Sequence, residues 1–307
     1  VCHDRLDGLL SAADVPWWLV CLRNDECPAV LLRAAEAGKG VLAEKPIGRS
    51  AAEVEPVVAA FRQAGLSLGV AFTNRYRAAA AQARQLVADG RLGRICAAET
   101  RLHTSQVALR DPSHWLFDKA VSGGGVLPWL GCHFLDLLRF ILGQEVVSVT
   151  AQLDTLSGED IDVEDMAALT LRFDGGALAT ATFGYLMPLS QPGYHRGAYD
   201  TYLGIKGTAG HVSWDIFDPA QRLVVTSTCD DWTSAPQREF HFHEAPAEAY
   251  GGRSGLEFAR ACLRASQQGT AAPATGEDLL AVWQIIDAAY RSSETGARVD
   301  LRPGAPE

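Results

Sequence analysis

A lysine at the end of a short apolar run has the clearest chemical potential in this chain. Residues 40–46 read Gly-Val-Leu-Ala-Glu-Lys-Pro, which predicts a short buried strand delivering Lys45 to its carboxyl end. In an open α/β sheet, ligands bind in the crevice beyond the carboxyl ends of the strands. Burial there lowers the pKa of a lysine, so that its amine can exchange a proton with a substrate. The heptapeptide is equally compatible with a lysine that only caps a sheet edge.

A second set of chemically useful side chains has the spacing of one helix face. Trp129, His133 and Asp136 follow a glycine run at intervals of four and three residues, which places them on one side of a helix. An imidazole titrates near neutrality and can hold or relay a proton. An indole has only an N–H donor and cannot act as a base, so Trp129 either stacks on a substrate or fills space. Trp115, in the preceding loop, is a weaker candidate for the pocket wall.

Two other polar patterns favour structural or surface roles. His241 and His243 alternate on a strand and face one side, as metal ligands can, but no Cys, Asp or Glu lies close by with ligand spacing. No metal site is therefore predicted. The acidic run at 158–165 is interpreted as a solvated loop.

Composition limits the class of protein and its partners. The chain has 307 residues, of which 48% are hydrophobic, enough for a sizeable core and for two domains. A formal charge of −10 argues against nucleic acid or an anionic membrane as the main partner. No uninterrupted apolar run approaches the ~18 residues of a membrane span, and the first five residues do not resemble a signal peptide. Seven cysteines without a C-x-x-C spacing favour free thiols in a reducing cytoplasm.

Strands and helices alternate over the first 95 residues. Apolar runs predict buried strands at 16–22, 41–44 and 66–72. Capping residues, apolar patterning and terminal glycines predict helices at 6–15, 28–38, 50–64 and 78–89. This alternation is typical of a doubly wound parallel sheet.

Long strands dominate the rest of the chain. A strand at 94–104 precedes a polar loop and a helix that carries Pro128 in its first turn and ends before Gly143. Asp174-Gly175-Gly176 joins two strand-like runs and predicts a hairpin. Further strands are predicted near 199–206, 210–214, 221–227 and 238–243, and two final helices at about 253–268 and 276–293. We therefore expect an α/β protein with a partial Rossmann domain at 1–95, followed at 96–307 by an α+β domain with a large, open-faced, mostly antiparallel sheet.

One dinucleotide-binding signature is a false positive. Residues 38–43 satisfy the pattern G-x-G-x-x-[GA], but they end a helix and open a strand. The mechanism requires the reverse order, in which the glycines follow a strand and open a helix whose N-terminus meets the phosphate. No other stretch of the chain qualifies.

Motifs along essentially the whole chain resemble, in the right order, those of the glucose–fructose oxidoreductase and inositol dehydrogenase superfamily (Gfo/Idh/MocA). They lie at 35–46, 72–76, 87–93, 123–136, 204–208 and 286–292. The resemblance implies a Rossmann domain followed by a domain with an open-faced sheet. It also implies hydride transfer between NAD or NADP and a hydroxyl or keto carbon of a sugar, inositol or related polyol.

The resemblance further implies roles for individual residues. Lys45 and His133 correspond to the family's catalytic groups. Apart from the resemblance, the substrate-binding candidates are Trp115, Trp129 and His133. The cofactor-binding positions are Leu22, Asn24, Glu44, Lys45 and Pro46. Family members commonly assemble through the outer face of the large sheet, so a homo-oligomer, a dimer or tetramer, is expected.

Three departures from the family pattern leave an alternative open. The chain begins after the family's first strand and glycine loop, so a truncation of roughly 50 residues is expected from the size of a βαβ unit. The family's Thr-Pro-Asn is here Leu22-Arg23-Asn24, and its aspartate four residues before the histidine is Trp129. The alternative is a non-catalytic sugar-binding or partner subunit descended from such a dehydrogenase.

Overall fold

The structure is a computed structural model that describes residues 5–10, 15–188, 199–218, 221–243, 247–248 and 251–301. Four of the five N-terminal residues that do not resemble a signal peptide, residues 1–4, lie outside these ranges. So do residues 11–14 of the first predicted helix, whose described part is α1, Leu6–Leu10.

The first part of the chain forms a parallel three-stranded sheet flanked by helices, as predicted. Its strands are β1 (Trp17–Val20), β2 (Gly40–Ala43) and β3 (Leu68–Val70), paired in that order. The helices are α2 (Cys27–Glu36), α3 (Ala51–Gln63) and α4 (Ala78–Ala88). All four residues of β2 are buried, which explains why its sequence is a continuous apolar run.

The helix start predicted at Ser50 is present, but the Glu53 carboxylate does not bind the backbone N–H of Ser50 as it would in a capping box. The Ser50 hydroxyl accepts a hydrogen bond from the Glu53 N–H at 3.4 Å, as in a capping box. The Glu53 carboxylate accepts instead from the N–H of Arg49 at 2.8 Å and from its guanidinium. This pair fixes the chain that leads from Lys45 into α3.

A nine-stranded sheet occupies the second part of the chain. Its strands are β4 (Ile95–Ser105), β5 (Val146–Asp154), β6 (Met166–Phe173), β7 (Leu178–Met187), β8 (Asp200–Gly207), β9 (Gly210–Trp214), β10 (Arg222–Ser227), β11 (Gln237–His241) and β12 (Val299–Asp300). They are ordered β11-β10-β9-β8-β4-β7-β6-β5-β12. Among the described pairs in this sheet, β4 with β7 is parallel and the others are antiparallel. The predicted sheet type is confirmed.

The hairpin predicted from Asp174-Gly175-Gly176 joins β6 to β7. The Gly176 N–H donates to the Phe173 carbonyl at 2.9 Å, and Gly176 has a φ of +88°. A side chain is strained in that left-handed conformation, so the glycine is required by the turn.

The helix predicted after the glycine run and before Gly143 is present with Pro128 in its first turn, but that turn is π-helical and a separate short helix precedes the glycines. A short helix α5 (Lys119–Ser122) leads into a glycine turn, then a π-helical turn over Leu127–Gly131, then α6 (Cys132–Leu142). By length and composition the stretch Lys119–Leu142 passes as a membrane span, yet 83% of its most apolar window is buried inside the protein. The sequence criterion of an uninterrupted apolar run does not detect this stretch. Its burial marks it as a core segment.

The last two helices are α7 (Gly252–Gln268) and α8 (Gly276–Thr295). Helix α8 contacts both sheets. Its Trp283 indole donates to the Pro46 carbonyl at 2.9 Å, and its Ser292 hydroxyl accepts from the N–H of Ala151 in β5 at 3.0 Å. The domain limits 1–95 and 96–307 stay predictions, to which the structure adds that a late helix packs against the early sheet.

Candidate active site

The carboxyl ends of all three parallel strands contact one segment, residues 122–133. After β1, the Asn24 amide donates to the Ser122 carbonyl at 2.6 Å. After β2, the Lys45 Nζ donates to the Trp129 carbonyl at 2.5 Å. After β3, the ring of Phe72 meets that of His133 edge to face, with 5.9 Å between centroids. The fold therefore brings Lys45 and His133 to one crevice, where strand-end ligands bind.

Three consecutive glycines let segment 122–133 approach its neighbours closely. A Cβ on Gly123 would lie 2.6 Å from the Cα of Arg49, and Gly123 has a φ of +83°. A Cβ on Gly124 would overlap the Tyr290 hydroxyl, and one on Gly125 would overlap the Glu164 carbonyl. The π-helical turn that follows carries Trp129 on its third residue. Such turns within α-helices are frequent at functional sites.

Lys45 is buried against Trp129. Its side chain is 6% exposed, its Nζ lies 3.8 Å from the centroid of the Trp129 ring, and the peptide bond to Pro46 is cis. Burial lowers the pKa of Lys45, and the nearby Cys132 and Glu44 offset this only in part. The direction is the one expected from the sequence. A lysine in this state supplies more neutral amine at a given pH than a solvated one does.

His133 presents an imidazole nitrogen without a partner. The residue is partly exposed, but its Nδ1 is buried and makes no hydrogen bond to any described residue. Burial, together with the positive charges of Lys45 and Arg77, lowers the pKa of His133 well below its ordinary value. The expectation of titration near neutrality is wrong here, because both effects disfavour the imidazolium. A neutral ring remains able to donate or accept a hydrogen bond.

Trp129 and Trp115 form an aromatic corner beside Lys45. Both residues are half-buried, and their rings meet edge to face with centroids 5.9 Å apart. Trp115 begins a 3₁₀ turn, Trp115–Phe117. The open ring surface is suited to the apolar C–H face of a sugar or polyol, and the predicted wall residues thus lie together.

The strand ends suit the nicotinamide half of the cofactor that the family fold implies. Leu22 after β1 is 41% exposed, Glu44 is half-buried, and the Nδ1 of His133 is buried without a hydrogen-bond partner among the described residues. These residues offer an apolar surface and, near Lys45, this buried polar atom. The Asn24 amide N–H donates to the Ser122 carbonyl, and the Pro46 carbonyl accepts from the Trp283 indole. Within the described residues, no glycine-rich turn follows a strand to hold a pyrophosphate.

Sequence reasoning missed several residues around the crevice. Cys132 lies beside Lys45, and burial raises the pKa of its thiol to about 11, so the thiol is neutral. The solvated-loop interpretation of 158–165 is wrong for Glu164 and Asp165, which are 7% and 0% exposed. Asp165 accepts from the N–H groups of Leu156 and Ser157 at 2.8 Å each. Acidic composition suggested solvent, whereas these carboxylates pair with backbone donors that no local pattern reveals.

The two histidines of the strand pattern lie apart from the crevice. His241 and His243 are exposed, and His241 Nε2 lies 3.4 Å from a Glu239 oxygen. Among the residues that the structure describes, no group of three or more His, Cys, Asp or Glu side chains is arranged to hold a metal ion.

Comparison with known proteins gives consistent family matches. The profile described as an oxidoreductase family with an NAD-binding Rossmann fold matches residues 2–72, and the GFO/IDH/MocA C-terminal domain matches 80–213. Inositol 2-dehydrogenase of Rhizobium meliloti (strain 1021) is 27% identical over 291 residues, which cover 94% of this chain and 81% of that protein.

Two solved structures share the fold over nearly the whole chain. An oxidoreductase domain protein from Kribbella flavida superposes with a TM-score of 0.85 at 26% identity, covering 97% of this chain and 84% of its own. An aldose-aldose oxidoreductase from Caulobacter crescentus, complexed with glycerol, gives a TM-score of 0.79 at 26% identity, covering 96% and 82%.

Proposed function

Since the chain belongs to the Gfo/Idh/MocA family of oxidoreductases, we propose that it transfers hydride between NAD or NADP and a hydroxyl or keto carbon of a sugar, inositol or related polyol. One observation carries the proposal: Lys45 and His133 meet in one crevice beside the open rings of Trp115 and Trp129. The names of similar proteins, an inositol dehydrogenase and an aldose oxidoreductase, support this substrate class.

In this proposal the protein's residues manage the proton that accompanies hydride transfer. The nicotinamide supplies the hydride acceptor or donor when it is bound. Oxidation of an alcohol also requires removal of the hydroxyl proton, which the neutral amine of Lys45 accepts, and its ammonium returns the proton in the reverse direction. His133, which stays neutral, orients the same oxygen by a hydrogen bond through Nδ1.

The remaining site residues position substrate and cofactor. Trp115 and Trp129 give the sugar an apolar face to stack on. Leu22, Glu44 and Pro46 border the nicotinamide at the strand ends. Asn24 contributes by holding the loop after β1 against Ser122.

The test is a survey of sugars, inositols and polyols with NAD⁺ or NADP⁺, followed through the absorbance of the reduced nicotinamide. Lys45→Met should lower kcat by the ~10²–10⁴-fold typical of a lost general acid–base group. Lys39→Met is the matched control, because Lys39 directly precedes β2 at the opposite end of the same strand; it should keep wild-type turnover.

Two results would contradict the proposal. If Lys45→Met turned over a substrate as fast as the wild type, Lys45 would not carry the proton. If a sugar bound, as calorimetry would show, and was neither oxidised nor reduced with either cofactor, the chain would be the non-catalytic sugar-binding protein instead.

We also propose that the chain forms a homo-oligomer, a dimer or tetramer, through the outer face of the large sheet. Side chains of alternating strand residues leave a hollow of about 300 Å³ there, bordered by Glu99, Thr180 and Lys206 among others. Carboxylate and ammonium groups on one face can pair across a twofold axis with those of a second copy.

A cytoplasmic location completes the proposal. The six cysteines that the structure describes are free thiols, as a reducing compartment favours.

A further inference from the structure

A buried carboxylate receives three hydrogen bonds next to the catalytic crevice. Glu164, in the loop before β6, is 7% exposed. Its Oε2 accepts from the Gly125 N–H at 2.8 Å and from the Tyr290 hydroxyl at 2.7 Å, and its Oε1 accepts from the Leu127 N–H at 2.9 Å. Burial raises the pKa of Glu164, while the donors from Gly125, Leu127 and Tyr290 oppose the rise.

These contacts hold the first turn of the segment that reaches Lys45. N–H groups at a helix start have no partner within the helix, and a carboxylate there also faces the positive end of the helix dipole. The backbone of Glu164 takes part as well, since its carbonyl accepts from the Val126 N–H at 3.1 Å. Gly125 lies so close that a Cβ would overlap that carbonyl.

Tyr290 of α8 fixes the carboxylate from the other side. Burial and the neighbouring Glu164 raise the pKa of Tyr290 well above its ordinary value, so the hydroxyl remains a donor. The absence of a side chain on Gly124 makes room for that hydroxyl. Glu164 is therefore constrained by α8 and by the glycine turn together.

We propose that Glu164, held by Tyr290, is a positioning residue that keeps the Trp129 carbonyl on the Lys45 Nζ. The chain of contacts is short: Leu127 N–H is bound by Glu164, and the carbonyl two residues later is bound by Lys45. Trp129 N–H in turn donates to the Gly125 carbonyl at 3.2 Å. The inference rests on the proposed function only in taking Lys45 as the proton-transfer group.

The ionisation of Lys45 reports on this placement without any substrate or cofactor. The chain has four lysines, Lys39, Lys45, Lys119 and Lys206, so a protein labelled with ¹³C-lysine gives few Cε signals. Lys45→Met identifies the one that belongs to Lys45. The titratable groups that face Lys45 are Glu44 on its own strand and Cys132 and His133 on α6. All three stay unchanged in the variants below.

Two substitutions separate position from charge. Glu164→Asp keeps the carboxylate but withdraws it by one methylene, so that it cannot reach both N–H groups and Tyr290 together. Glu164→Gln keeps the length of the side chain but removes its charge. Its amide NH₂ group would also face a backbone N–H, and two donors cannot form a hydrogen bond. Ser292→Ala is the control for a lost buried hydrogen bond on α8, because Ser292 binds the Ala151 N–H and the Ala297 carbonyl away from the crevice.

We expect the midpoint of the Lys45 Cε titration to fall in both Glu164 variants relative to wild type and to Ser292→Ala, because the ammonium loses its acceptor. A fall in Glu164→Gln alone would assign the effect to charge and overturn the positioning role. If the Lys45 midpoints in the Glu164 variants equalled the midpoint in Ser292→Ala, the role of Glu164 would be merely structural, and the positioning role would again be overturned.

Tyr290→Phe keeps the inference testable if the Glu164 variants do not fold. It removes one of the three hydrogen bonds and retains both the carboxylate and the ring. A smaller fall in the same direction is expected, and an unchanged midpoint would count against the proposal. The Lys45 titration needs no turnover. If the chain oxidised no sugar alcohol, the proposed function would be refuted, and the titration would still test the positioning role of Glu164.

Discussion

Burial drives both Lys45 and His133 toward their neutral forms, and this sets what each can do. The crevice gives Lys45 the Trp129 carbonyl and ring face as partial compensation for its charge, whereas the charged groups that act on His133 among the described residues, Lys45 and Arg77, are cations. Lys45 can therefore exist as amine or ammonium, while His133 stays an imidazole. The division of labour follows from these surroundings, with proton transfer at Lys45 and orientation at His133.

The neutral state of His133 predicts how stability depends on pH. An unfolded histidine takes up a proton near pH 6.5, whereas the folded His133 stays neutral there. Below that pH the unfolded state therefore binds more protons than the folded state does. The free energy of unfolding should then fall with decreasing pH, by up to about 1.4 kcal/mol per pH unit for this one group. Urea unfolding at pH 8, 7, 6 and 5 measures it.

In His133→Gln this decrease should be absent, so the free energy of unfolding of the wild type should fall relative to that of the variant as the pH drops. His241→Gln is the control, because His241 is exposed and solvated in both states. Parallel curves for wild type and His133→Gln from pH 8 to 5 would show that the folded imidazole does take up the proton.

At the scale of single residues, the sequence predicted which side chains matter but not what they touch. Lys45 follows from a local rule, a strand end in a parallel sheet. Its contact with the Trp129 carbonyl depends on a π-helical turn 84 residues away, which no spacing rule indicates. Glu164 was hidden by an acidic run in which Asp160 and Asp162 do lie in solvent.

Among the elements, α6 is held in place by a buried ion pair with the turn after β3. Arg75 binds Asp136 through Nε at 2.9 Å and Nη2 at 2.5 Å, and the two side chains are 6% and 1% exposed. Burial opposes the charge, yet Asp136 and Asp278 together raise the pKa of Arg75. Asp278 belongs to the first turn of α8, so one guanidinium joins three elements that surround the crevice.

Removal of the central carboxylate should destabilise the fold strongly. Asp136→Ala leaves Arg75 with a buried and only partly paired charge, and loss of one partner of a buried pair typically costs about 3–5 kcal/mol. Asp231→Ala, which breaks the exposed pair with Arg91, should cost far less, because solvent screens an exposed ion pair. Urea unfolding of the two variants makes the comparison, and equal losses would contradict the role given to Asp136.

Elements with local signals were predicted closely, and those shaped by tertiary contacts were not. Strands β1 to β3, the hairpin at Gly176 and helices α7 and α8 carry their own apolar patterns, caps and turns. Helix α5 and the π-helical turn at Leu127–Gly131 were missed, because the close packing of glycines 123–125 against Arg49, Tyr290 and Glu164 is not visible in the neighbouring sequence.

Over the whole molecule, the large sheet presents one face that no described helix covers. Leu178 is 45% exposed on this face, and Thr180 is exposed beside it on β7. If a second copy covers the face, Thr180→Arg should place a charge in the interface and shift the chain toward monomer. Light scattering across a range of concentrations measures the change.

Thr295→Arg makes the same substitution at an exposed position near the end of α8, away from the outer face, and should leave the assembly unchanged. A wild-type chain that remains monomeric at high concentration would remove the basis for the oligomer proposed above.

The position of α8 also has a consequence for the synthesis of the protein. Trp283 binds the carbonyl of Pro46, 237 residues earlier in the chain. At about 5–20 residues per second, a ribosome needs roughly 10–50 s to travel that distance. During this interval the nascent segment around Lys45 exists without the helix that covers it, with apolar surface open to chaperones and to other chains. The crevice can close only after α8 has been synthesised.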